Sequence, residues 1–187
     1  MKASAFDSLV CFVNQNEGIE MDLEITVVDD SDIVGWVASA TRVGEIYMQD
    51  VDSMVNNVLG ALRVYTYSRV CTPNDRIRYN RMSRLNILDH GNARGIQIGS
   101  DWIDTTSLPN FQVTLALLSG NFAPSGFVHL QHCNIGQNRP LMLALAKTFN
   151  VSVYAGTGKH NPAYRFNTGS YVRADADGSF HADVGRP

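Results

Sequence analysis

Two hydrophobic periods alternate along this chain, and that alternation constrains its fold more than any other feature. Residues 23–28 (LEITVV) form a β-branched run that closes on Asp29, Asp30 and Asp32, the pattern of a strand followed by a turn. From Val51, apolar residues recur at Met54, Val55, Val58, Leu59 and Leu62, so the spacing predicts an amphipathic helix to about Tyr67 with Asp50 as its N-cap. A polar loop around Thr72-Pro73-Asn74-Asp75 leads to a second strand over 84–89 (RLNILD), stopped at His90-Gly91. Residues 95–99 and 101–103 read as a small hairpin. A helix over 108–118 tolerates Pro109 because it falls in the first turn. A third strand, 127–131, runs into His132-Cys133-Asn134-Ile135-Gly136. A helix over 139–149 with Asn138 as N-cap and a fourth strand, 151–155, ending in Gly156-Thr157-Gly158, complete the series.

The order β-α-β-α-β-α-β implies a mainly parallel sheet covered by helices on both faces through right-handed connections. The whole chain, 1–187, reads as a single α/β domain. Its last part, 164–187, alternates apolar and polar positions around Asn167-Thr168-Gly169-Ser170 and Asp175-Ala176-Asp177-Gly178, and is expected to form a β-meander on the sheet edge. With 44% hydrophobic and 18% charged residues the chain can bury a core, which excludes disorder. A net charge of -3 lacks the basic footprint that neutralises phosphates, which argues against a nucleic-acid partner. Cys11, Cys71 and Cys133 are odd in number and widely spaced, so no disulfide framework is implied. No apolar stretch approaches the roughly 18 residues of a membrane helix, and Asp7 interrupts what would be the apolar part of a signal peptide. The expectation is a soluble protein with no membrane partner and no recognisable address. Trp36 and Trp102 lack an interleaved basic stripe and read as core or rim residues.

In parallel sheets functional groups collect at the carboxyl ends of the strands. Two of these ends carry chemistry here: Asp89-His90-Gly91 and His132-Cys133. A thiol at a strand end just before a helix N-terminus is placed where its thiolate is favoured, as Cys133 is. His90, at the end of another strand, can serve as the acid or base beside it. Gly91 lets a carbonyl approach the backbone unhindered. Each residue also has a plain reading, since a strand-end Cys is commonly a small buried hydrophobe and His-Gly commonly a turn.

Three other signals are weaker. His129 and His132 beside Cys133 invite zinc, but strand alternation points His132 and Cys133 apart and no C-x-x-C or H-E-x-x-H occurs, so no metal is expected. Gly156-Thr157-Gly158-Lys159 lacks the spacing of a phosphate loop and reads as a loop at the mouth of the site. Asp175-Ala176-Asp177-Gly178 lacks the Glu that completes a calcium loop and reads as a turn. Asp89 precedes His90 but, neighbours alternating, no third catalytic residue can be named.

The run LDHGNARGIQIGSDWI, followed by FVHLQHCNIGQ, resembles the core of caspase-fold cysteine peptidases, the group of caspases, legumains, gingipains and separases. There a strand ends in His-Gly, a short hairpin follows, and the next core strand ends in the catalytic Cys. The Cys133 to Gly136 and 151–158 segments are closer still to a bacterial caspase-like domain found in large surface proteins. The resemblance covers about 85–158 and implies a three-layer α-β-α sandwich with a C-terminal β extension. It also implies a peptidase in which Cys133 attacks the peptide carbonyl, His90 protonates the leaving amine, and the backbone N–H groups of Gly91 and Cys133 hold the oxyanion. Gln131 and the loop containing Gly156 and Thr157 would line the pocket for the residue before the scissile bond. A peptide or protein is the implied substrate, with no metal or organic cofactor, and a processing protease or an effector toxin the implied setting. His132 before the Cys, and Asn134-Ile135-Gly136 after it, depart from the caspase pattern and leave the preferred residue open. A non-catalytic binding module on the same fold, or a thiol hydrolase acting on another amide, would use the same residues.

Overall fold

A computed structural model describes residues 22–29, 46–67, 81–162 and 166–187. Asp7, Cys11, Asp30, Asp32, Trp36, Cys71, the 72–75 turn and residues 163–165 lie outside the described residues. Strand β1 (Asp22–Asp29) is followed by β2 (Ile46–Met48), helix α1 (Val51–Tyr67) and β3 (Arg81–Leu88). Three short strands come next, β4 (Gly91–Asn92), β5 (Gly95–Ile98) and β6 (Asp101–Ile103), and then α2 (Leu108–Ala116). Strand β7 (Phe122–Leu130), α3 (Arg139–Phe149) and β8 (Ser152–Gly156) follow. The chain ends with β9 (His160–Asn161), β10 (Phe166–Asn167), β11 (Tyr171–Ala174) and β12 (Phe180–Val184).

The central sheet has seven strands in the order β12-β11-β8-β7-β3-β1-β2. Strands β2, β1, β3, β7 and β8 are parallel, and β11 and β12 are antiparallel at one edge, where the C-terminal meander was expected. The fold is thus α/β with a mixed, mostly parallel sheet. Strands β4, β5 and β6 form a separate antiparallel sheet, and β9 pairs with β10. No helix among the described residues is long and apolar enough to cross a membrane.

From β2 through α1 to β3, from β3 through α2 to β7, and from β7 through α3 to β8, each connection steps in the same direction across the sheet. Right-handed connections that all step one way place their helices on one face. The packing agrees. Val55, Val58, Leu115, Leu145 and Phe149 from the three helices join Ile25, Val27, Leu85, Ile87, Val128, Leu130, Val153 and Ala155 of the strands in one buried cluster. Among the described residues no helix lies on the other face, which carries Glu24, Thr26, Arg84, Asn86, His129 and Gln131. Of the coverage of both faces expected from the sequence, the described residues show one face.

The helix ends follow their side chains. Asp50 accepts a 2.6 Å hydrogen bond from Ser53 N, which holds its carboxyl below the usual range, and Asp101 Oδ2 accepts from Val51 N at 2.9 Å. The start of α1 is therefore capped by its own chain and by the β5–β6 hairpin. Asn138 caps α3 by accepting from Leu141 N at 3.2 Å. Gly99, at φ 56°, turns the hairpin in the left-handed region and brings its Cα against the Gln49 carbonyl, where no Cβ would fit.

Candidate active site

Leu130 of β7 pairs with Ile87 of β3, and His90 and Cys133 each lie three positions beyond that pair. Neighbouring strands run about 4.8 Å apart, so both residues leave the sheet at the same carboxyl edge. His90 is exposed and Cys133 is partly exposed and not in a disulfide.

Asp89 is buried and its carboxylate is occupied by backbone donors. Oδ1 accepts from His90 N at 2.6 Å and Oδ2 from Gly99 N at 2.8 Å. It pins the hairpin to the end of β3, a structural task that the sequence did not reveal.

After Cys133 the chain turns sharply. Asn134 is left-handed at φ 57°, its N–H donates to Gly158 O at 2.7 Å, and a 3-10 turn over Ile135–Gln137 leads into α3. The same loop brings His160 to the thiol. Its N–H donates to Cys133 Sγ at 3.4 Å, and its carbonyl lies 3.9 Å from that sulfur.

Loop 156–160 is held by Asn167, a buried residue whose amide reads both sides of Gly158. Oδ1 accepts from Gly158 N at 2.8 Å, and Nδ2 donates to Gly158 O at 2.8 Å. The Asn167 side chain fills the space a Cβ on Gly156 would need. Thr157 is tied to Ser170, its N–H donating to Ser170 O at 2.9 Å, and its carbonyl accepts from Gln137 Nε2 at 2.7 Å.

His132 and Cys133 have different partners, the thiol meeting the His160 backbone and the ring the Gln97 carbonyl. His132 is wholly buried beneath the hairpin, with Nε2 2.9 Å from Gln97 O. Burial drives its pKa down to about 3, and the nearby His160 and His90 add to the effect. Gly91 sits against this ring: a Cβ there would come within 2.9 Å of His132 Cβ.

Gln131 lies on the polar sheet face. Its Nε2 is 3.1 Å from Asn86 Oδ1 and 3.4 Å from His129 Nδ1. Asn86 in turn donates to Glu24 Oε1 at 2.8 Å. Gln131 and His129 line a pocket of about 100 Å³ with Arg84, Asn86, Glu24 and Arg186. Gly156 and Thr157 are not among the residues lining it. The structure thus brings His90, Gly91 and Cys133 to one edge with Gly156 and Thr157 in the adjoining loop, and directs Gln131 to the sheet face. His129 is also buried, which pushes its pKa to about 3, with His160, Arg84, Arg186 and His132 contributing in the same direction.

Among the described residues no group of three or more His, Cys, Asp or Glu is placed to hold a metal ion. The segment Asp175-Gly178 forms a turn, closed by Gly178 N donating to Asp175 O at 3.0 Å. Comparison with protein-family models, with curated proteins and with solved structures gave no match.

Proposed function

We propose that the chain is a cysteine peptidase of the caspase-like kind, with Cys133 as nucleophile and His90 as its acid. The observation that carries this reading is the equivalent position of the two residues, three beyond the paired Ile87 and Leu130 on neighbouring parallel strands. Cys133 is partly exposed and its Sγ has the His160 N–H at 3.4 Å.

Burial supports the choice of His90. His129 and His132, the two histidines nearest Cys133 in sequence, titrate near 3 and stay neutral through the range where thiolates form. A neutral imidazole with so low a pKa does not hold the proton a departing amine needs. In the proposed reaction Cys133 Sγ attacks the peptide carbonyl carbon while the backbone N–H groups of Gly91 and Cys133 take the oxyanion. The C–N bond then breaks, the amine leaves with the His90 proton, and water hydrolyses the thioester to free the acid and the thiol.

The substrate is a peptide or protein, and the reading includes Gln131, Gly156 and Thr157 as residues near the side chain before the scissile bond. It also includes a full three-layer sandwich, whose second layer would cover the sheet face bearing Asn86 and His129.

The test is twofold. Alkylation of Cys133 by iodoacetamide, followed by peptide mass spectrometry near pH 7, should be at least tenfold faster in the parent than in His90→Ala. A peptide library should be cleaved by the parent and by neither Cys133→Ala nor His90→Ala, and the two losses should not add. Slow alkylation in the parent, with no cleavage, would leave a binding module with a structural cysteine as the better account.

A further inference from the structure

We propose that His132 is a positioning residue, whose ring sets the place of His90 relative to Cys133 by way of the Gln97 backbone. This rests on the peptidase reading above and adds to it a residue that neither touches substrate nor transfers a proton.

The connection is a short chain of hydrogen bonds. Gln97 O is a carbonyl and can only accept, so the 2.9 Å contact from His132 Nε2 places the proton on that nitrogen. Gln97 N–H donates to His90 O at 2.9 Å. Two hydrogen bonds across one residue of β5 therefore link the side chain beside Cys133 to the backbone of His90. Gln97 itself is fixed, since its side-chain Nε2 donates to Gly99 O at 2.8 Å and β5 pairs with both β4 and β6.

The ring is also a packing surface for the His90-Gly91 turn. A Cβ on Gly91 would lie 2.9 Å from His132 Cβ and 3.4 Å from His132 Cδ2, so only glycine lets the turn seat on the ring. The fully buried ring keeps its lone pair at Nδ1, which has no hydrogen-bond partner among the described residues. Its pKa near 3, set first by burial, keeps it uncharged while thiol chemistry runs. A fixed, neutral tautomer gives one donor in one direction, which is what a spacer between two reacting groups requires. Displacing such a group by about 1 Å can cost on the order of 100-fold in rate.

The experiment uses the full chain with His132→Phe, which keeps the ring and removes the donor, and His132→Gln, whose Nε2 reaches nearly the same place. Iodoacetamide alkylation of Cys133 is followed against pH in the parent, in both variants and in His90→Ala, with amide exchange at Gln97 measured in parallel. The Phe variant is expected to reproduce the His90→Ala profile and to lose protection at the Gln97 N–H. The Gln variant should return both to within about fivefold of the parent. A Phe variant with the parent's profile and the parent's Gln97 protection, while His90→Ala shifts the profile, overturns the proposal. If His90→Ala itself changes nothing, the peptidase reading fails; the exchange at Gln97 then decides the strut alone. Should the Phe variant not fold, nitrogen NMR of the parent imidazoles replaces it: a slowly exchanging Nε2 proton on a neutral His132 supports the strut, and an Nδ1 proton or a charged ring refutes it.

Discussion

Acidification should destabilise this protein through two buried histidines before its carboxylates protonate. His129 and His132 are 3% and 0% exposed, and burial lowers each pKa from 6.5 to about 3. The sign follows from proton binding. Between pH 6.5 and 3 the unfolded chain holds a proton on each imidazole that the folded chain does not, so stability is complete above 6.5 and falls as pH drops through that window. At pH 5 the loss is about 2 kcal/mol for each residue, or about 4 kcal/mol together, relative to pH 8. That is a large share of the 5–15 kcal/mol typical of a domain. Asp50, Asp104 and Asp177 have depressed values from backbone hydrogen bonds, but their contribution is lost only as pH falls below their ordinary 3.8, beneath the pH 5 to 8 range of the assay. Urea unfolding followed by circular dichroism at pH 8, 6 and 5, at constant ionic strength, measures the slope. His132→Gln should remove about half of it, and a double variant with His129→Gln most of it. Equal stability at pH 8 and pH 5 in the parent, or an undiminished slope in the double variant, would refute the buried neutral state of these rings.

Other changes test the geometry around the site. Gly91→Ala puts a methyl 2.9 Å from His132 Cβ and 3.1 Å from Gly95 O, and should cost about 1–3 kcal/mol in urea unfolding at pH 8. Gly156→Ala collides with the Asn167 side chain; by thermal unfolding the loss should be smaller in an Asn167→Gly background than in the parent, because the two positions share one space. His160→Ala keeps the backbone N–H and carbonyl that meet Cys133, so the alkylation rate of Cys133 should stay within about threefold of the parent. A tenfold slowing there would assign a role to the His160 ring in place of His90.

The element order was legible because strand and helix periods alternate cleanly, and Asp50 and Asn138 cap their helices as their side-chain chemistry predicts. Boundaries were less legible where local breakers mislead. Strand β7 begins at Phe122, ahead of the expected 127, because Pro124 and Gly126 sit in a register shift opposite Met82 and Arg84. Strand β2 has three residues, too short to show a period. The polar row on the sheet was written in the sequence: Arg84 and Asn86 alternate with Leu85 and Ile87 in β3, a pattern of a sheet with one apolar face. The partners of Gln131 were not, since Asn86 is 45 positions away and their meeting depends on β7 lying next to β3.

The histidines show why a site of this kind resists reading from sequence. The chain has five, and in sequence they differ only in their neighbours. Folding sorts them by solvent and by partner. His129 and His132 are enclosed and neutral, His132 serving as a donor to Gln97. His181 faces Asp175 at 3.0 Å, near Ser152 at the amino end of β8 and away from Cys133. His160 meets the thiol through its backbone, and His90 stands exposed at the edge where β3 and β7 end together. The desolvation that keeps His129 and His132 neutral is worth several kcal/mol and is set by strand order and by what packs above each ring. Proximity to Cys133 in sequence favours His132, yet burial removes its ring from proton transfer and leaves Nε2 bonded to the Gln97 carbonyl.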